Sequence, residues 1–289
     1  MRKFIINILW VAQSFLLGQS VLLDDLVELS PPSSMVKDIF KGTRIINLQS
    51  VELPNPGVFQ FIIAHRFGAV NQGLYTLFGL DEAEIRFDFQ YGQNEKIAYG
   101  FGRNSYEKTY EIFTKVRLRH QKMGKQRFPV SVVYYTSVFI DTEETGPTME
   151  NYFQNRLSYV HQFIVGKKIS KYFSFEVAPT FLHRNFVNQS TDFNDTYAIG
   201  LGGRLKINNW VTFNGEYCLR VGDFSKDFNN SLSIGFDLET GGHVFQFHVT
   251  NSQGMFERAY ISETRGEWKT GVLYFGFNLS RSFQLKISN

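Results

Sequence analysis

Eleven charged side chains stand at alternating positions within aromatic-rich stretches: Arg66, Glu84, Arg86, Asp88, Lys115, Arg117, Glu176, Arg204, Glu216, Asp237 and Glu239. In extended chain, a spacing of two puts such residues on one face and their apolar neighbours on the other. Mixed signs on a shared face suit two kinds of chemistry. The groups can pair across an enclosed space, where an isolated charge is costly. They can also line a watery passage and set its ion preference. Arg66 follows His65 in "HRFG" and is expected to pair with Glu84 or Asp88 rather than to form a rim site with His65.

Other chemistry is thinly represented. His161 in "YVHQF" falls on an apolar row near Ser137 and Thr136, the beginnings of an acyl-hydrolase site. No acid lies within a strand's reach of it, so the sequence predicts no enzyme. His183, His243 and His248 are too scattered for a metal centre, and no Cys/His cluster exists, so neither metal nor cofactor is expected. "GFGRNS" at 100–105 follows a strand pattern but opens no helix, which separates it from a phosphate loop. Its Gly100 and Gly102, like Gly200 and Gly202, fall on the polar side, where they leave space for large neighbours or an open passage. The lone Cys218 forms no internal disulfide.

These groups are positioned by strands. "EIRFDFQYG" at 84–92 alternates strictly: Ile85, Phe87, Phe89 and Tyr91 against Glu84, Arg86, Asp88 and Gln90. About 12 such segments run from Val58 to Phe283, near the length of about 9–11 residues that a tilted membrane strand requires. Residues 130–140 are apolar on both faces, so their facing cannot be read. Short connections ("GQNEK", "KISKY", "NNW", "TGGH") alternate with long ones at 141–156, 184–196, 221–230 and 251–271. One pair breaks the alternation, because 121–128 is longer than 104–109.

Residues 1–20 read as a cleaved signal peptide: Arg2 and Lys3, an apolar run, then Gly18 and Ser20. Losing those two charges leaves a near-neutral chain, which argues against a nucleic-acid partner. Residues 43–53 resemble a strand, but a thirteenth spanning strand would leave the chain ends on opposite sides. The segment 21–57 is therefore expected to be a periplasmic or lumenal extension, and 58–289 the barrel.

Aromatic residues make up 16% of the chain, and they need an apolar surface to occupy. A soluble barrel of twelve long strands would enclose a core wider than one layer of side chains fills, since eight strands is already the filled size. The aromatic rows are thus expected to face lipid and the charged rows a lumen. The predicted fold is all-β: a transmembrane antiparallel up-and-down β-barrel of about 12 strands, with 14 not excluded. Its place is a bacterial outer membrane, with lipid as its main partner. The closing "VLYFGFNLSRSF" resembles the terminal signal read by the barrel-assembly machinery, although "QLKISN" extends past Phe283.

"AHRFGAVNQGLYTLFGLDEAEIRFDFQYG", "GFGRNSYEKTYE" and "GFNLSRSF" resemble an outer-membrane β-barrel family of Bacteroidota-type Gram-negative bacteria, a domain of unknown function. The resemblance runs from about Val58 to the end and implies architecture and location without an activity. Three roles are expected to compete: a channel or transporter for small solutes, a non-conducting accessory barrel with envelope protein partners, and, third, a lipid-modifying enzyme. The lumenal glycines favour an open or gated passage.

Overall fold

The computed structural model describes residues 34–144, 152–187, 192–222, 225, 227–240 and 243–285. The leader expected at 1–20 and most of "SPPSS" lie outside them. Twelve strands follow in chain order: β1 (Val58–Ala69), β2 (Ala83–Gly92), β3 (Ile97–Asn104), β4 (Tyr110–Arg119), β5 (Ser131–Ile140), β6 (Leu157–Lys168), β7 (Phe173–Arg184), β8 (Asp195–Lys206), β9 (Val211–Val221), β10 (Ser231–Thr240), β11 (His243–Thr250) and β12 (Tyr274–Gln284). Each pairs antiparallel with its neighbour in sequence, and β12 pairs with β1 to close the barrel. Closure removes every sheet edge, which lipid requires because it cannot hydrogen-bond a free backbone.

Alternation fixes the facing. In β1 the buried positions are Val58, Gln60, Ile62, Ala64 and Arg66, while Phe59, Phe61 and Ile63 lie outside. Outside, aromatic rings stack across strands: Phe61 lies 4.9 Å from Phe89 and His65 5.1 Å from Phe277. A register shift between Arg117 and Arg119 breaks the pattern in β4. It aligns Arg119 with Val132 of the outer row of β5, so Arg119 is exposed, although alternation alone predicts it inside.

The unread strand β5 turns Val133, Tyr135 and Phe139 inward, and all three are fully buried. One half of the barrel wall is thus apolar inside, with Phe113, Val160, Ile164, Ala178, Leu182 and Ala198 continuing the surface. Two pieces of chain cover it. From the end of the short turns comes the segment 36–57. From the opposite end comes the 251–273 connection, which carries a one-and-a-half-turn helix α1 (Glu257–Ser262). Phe256, Ala259, Tyr260 and Ile261 of that connection are buried in the same apolar cluster.

Residues 43–53, strand-like in pattern and assigned to a periplasmic or lumenal extension, add no strand to the barrel. They make a tight hairpin inside the lumen, with an isolated bridge between Arg44 and Gln49 and a hydrogen bond from Ile45 N to Leu48 O. The over-long 121–128 connection has a structural counterpart too: its Lys122–Met123 pairs with Ser34–Met35 and anchors the chain leading into the hairpin.

Candidate functional site

The site is the barrel interior, and the charged rows hold the hairpin there. Glu216 on β9 accepts three backbone N–H bonds from the hairpin tip: Ile46 at 3.0 Å, Asn47 at 2.9 Å and Leu48 at 2.9 Å. Lys115 on β4 donates to the carbonyl oxygens of Thr43 (2.7 Å), Ser50 (3.0 Å) and Glu52 (3.1 Å). Arg204 donates to Asp38 O at 3.1 Å and Ile39 O at 3.2 Å, and Glu176 accepts from Val51 N at 3.3 Å. Arg117 lies 3.9 Å from Glu52, and Lys41 pairs with Glu239. Glu216, Lys115, Arg204 and Glu176 thus supply partners to hairpin backbone groups that would otherwise be buried without them.

At mid-depth the hairpin meets the descending connection in an ion-pair network. Arg44 reaches Glu257 at 2.9 Å and Asp88 at 3.3 Å. Arg86 pairs with Asp88 at 2.8 Å and with Glu111. Glu257, Asp88 and Glu111 thus surround the buried Arg44 guanidinium. Gln49 also donates to Glu257 at 2.9 Å, so both arms of the hairpin are tied to α1. Arg66 bridges the two inserts through Asn47 Oδ1 at 2.9 Å and the Ser252 carbonyl.

Of the predicted lumen charges, Arg86 and Asp88 share one network, and Lys115, Arg117, Glu176, Arg204 and Glu216 grip the hairpin. Asp237 stays in the wall, accepting from Thr212 at 3.0 Å and Gln246 at 2.6 Å. Glu84 sits at the loop rim, bonded to Ser105, and does not join Arg66. The partner expected for Arg66 was Glu84 or Asp88; it bonds instead to Asn47 and Ser252, because the hairpin tip occupies the space between. Arg44, Glu111 and Glu257 were not among the predicted sites. Glu111 shares parity with Lys115 and Arg117 and was open to detection; Glu257 lies in a loop with no periodic signal.

The glycines expected to leave a passage are filled. A Cβ on Gly202 would stand 2.1 Å from Ile45, and one on Gly200 3.0 Å from Leu48. At Gly100 the ring of Phe113 takes the space, and at Gly102 the Glu111 side chain does. A cavity of about 40 Å³ remains beside Arg44, Gln60, Arg86 and Asn278, far below the roughly 300 Å³ at which small-molecule sites begin. At the opposite rim, burial and the nearby Glu263 lift the Glu107 carboxyl up to about 7, against the pull of Arg258 on α1.

The hydrolase elements separate. His161 faces outward, 2.8 Å from the Tyr134 hydroxyl and 3.1 Å from Thr136, whereas Ser137 points into the lumen. Among the described residues no cluster of His, Cys, Asp or Glu is arranged to hold a metal ion.

A closed twelve-strand barrel with an aromatic exterior and a charged interior is a membrane-spanning β-barrel, the class that occupies outer membranes. The chain belongs to the membrane bound beta barrel domain family DUF5777, which matches residues 40–283 and so includes the hairpin. The NanC porin has a similar fold: TM-score 0.50 at 9% identity, over 79% of this chain and 100% of that one. The outer membrane protein Omp33 of Acinetobacter baumannii gives a TM-score of 0.43 at 8% identity, over 81% and 100% of the two chains. The toluene transporter TbuX of Ralstonia pickettii gives 0.35 at 10%, over 87% and 93%. No curated protein sequence matches significantly. The protein is a multi-pass β-barrel of the outer membrane.

Proposed function

We propose that the protein is a gated transport barrel for small solutes, shut at rest by its own hairpin, and not an enzyme. The observation that carries this reading is topological. The hairpin comes in and goes out at the same end of the barrel: Lys37 O is held by Lys168 there, and Pro54 and Asn55 leave against Gly92. It therefore threads nothing and can withdraw without breaking a strand. Gly57, at φ +73°, forms the joint between hairpin and β1. The porin of similar fold supports a transport role.

Magnitude decides the resting state. The hairpin segment buries Ile39, Phe40, Ile45, Ile46, Leu48, Val51 and Leu53. At about 1.5–3 kcal/mol each, spontaneous withdrawal costs on the order of ten kcal/mol or more, so opening needs a pull or a ligand. A non-conducting accessory barrel is the second reading, favoured by the insertion of Phe256 and Tyr260 from the other end.

Planar-bilayer recording separates the two. Wild type is expected to be silent. Leu48→Asp with Phe256→Ser, which loosens both inserts, is expected to conduct small ions while retaining heat-resistant mobility on gels. A folded, loosened barrel that stays silent overturns the transport reading.

A further inference from the structure

The end of the barrel where the hairpin comes in carries a basic, apolar collar, most of whose cations take no part in holding the hairpin. The 120–130 connection stands away from the wall there, with a cleft on each side. One cleft, about 530 Å³, lies between residues 34–37, the connection and the β6–β7 turn. The other, about 460 Å³, lies against the ends of β3 and β4. Lys122 and Arg127 border both; Lys167, Lys168 and Lys171 border the first, and Lys96 and Arg119 the second. Among the described residues lining the two clefts, Glu95 is the one acid.

Apolar groups stand among these charges. Met35, Met123, Ile169 and Leu118 are all exposed, and Lys171 Nζ lies 4.8 Å above the ring of exposed Tyr172. Leu118 and Phe173 belong to the outward, lipid-facing rows of β4 and β7, so the clefts sit where the hydrocarbon layer gives way to headgroups. Cations clustered at that depth, with apolar side chains pointing the same way, match a molecule that is anionic at its head and apolar below it.

We propose that these clefts bind the headgroups of anionic phospholipids from the leaflet at the short-turn end. The ammonium and guanidinium groups meet the phosphate, and Met35, Met123 and Ile169 meet the first methylenes of the acyl chains. Zwitterionic lipid brings a cation of its own into a site already rich in them and binds less well. This proposal stands independently of gating: it holds whether or not the hairpin moves.

Native mass spectrometry of the purified full-length barrel, with equal amounts of phosphatidylglycerol and phosphatidylcholine, tests it. Wild type is expected to retain phosphatidylglycerol severalfold over phosphatidylcholine. Lys122→Gln/Lys167→Gln/Lys171→Gln is expected to lose that preference, while Lys206→Gln at another turn keeps it. If the triple variant does not fold, judged by heat-resistant mobility, Lys171→Gln alone is expected to weaken the preference in proportion. Equal retention of both lipids by wild type overturns the proposal, and so does an unchanged preference in the variants at Lys122, Lys167 and Lys171. Displacement of the lipid by excess glycerol phosphate also overturns it, because the site then reads free phosphate and not a lipid.

Discussion

Arg86 is about as deeply placed as a charge can be, 1% exposed between Asp88 and Glu111. Replacing it with Glu gathers four carboxylates, those of residues 86, 88, 111 and 257, around Arg44 alone. Breaking a buried pair in this way costs about 3–5 kcal/mol. Arg86→Glu is therefore expected to lose its heat-resistant gel mobility at a clearly lower temperature than wild type. Glu84→Gln at the rim, where Glu84 accepts from Ser105, should shift stability by no more than about 0.5 kcal/mol. Outside the wall the cost has a different origin. Phe277 faces lipid beside His65 and Phe247, and Phe277→Arg is expected to cost about 2–4 kcal/mol near the midplane. Its neighbour Asn278 faces the lumen and donates to Ile46 O at 3.1 Å, so Asn278→Ala should loosen the hairpin and leave the barrel intact. Urea unfolding of the two variants distinguishes these outcomes.

At the scale of elements, the hairpin and α1 are separable. Glu216→Leu removes the acceptor of three tip N–H groups, and hydrogen exchange at residues 46–48 is expected to accelerate while exchange in β9 does not. For α1 the relevant group is Glu107. Its docked pKa of about 7 lies above the ordinary glutamate value of about 4.3. A raised carboxyl pKa stabilises docking below the lower value and loses that contribution as pH rises through the upper one. Exchange protection of residues 257–262 should thus be greater at pH 5 than at pH 8. The elements also show where sequence reasoning reaches and where it stops. Strands such as Ala83–Gly92 were legible because water-free lipid and a polar interior impose a period of two. β5 was not, because its inner face meets Phe113 and Phe256 and not water. The strand-like pattern of 43–53 gives no sign of a hairpin, because its turn is held by Glu216, about 170 residues away, and local pattern carries no trace of that bond. The grip of Lys115 and Arg204 on backbone carbonyls was equally hidden: alternation says which way a charge points but not what it meets.

For the molecule as a whole, the short turns 93–96, 169–172 and 207–210 lie at the end through which the hairpin enters. If that end is periplasmic, as the signal peptide and loop lengths predict, then a single cysteine at exposed Lys269 should be labelled on intact cells and one at exposed Asn209 should not, with Cys218 replaced in both. The opposite labelling pattern reverses the orientation and moves the basic collar to the outer leaflet.

The hairpin immediately precedes β1, and β1 is the strand that β12 must find to complete the cylinder. Once that seam has zipped, the hairpin and its seven apolar side chains have one way in, through the short-turn end. The filling is therefore expected to be taken up most easily while the sheet is still an open ribbon. On that expectation the chain is wound on its own mandrel, the segment before β1 serving as the former around which the later strands curl. A chain lacking residues 36–53 is accordingly expected to close more slowly into a heat-resistant form during refolding in detergent, and supplying the same segment as a separate peptide should restore the rate only if it is added before closure.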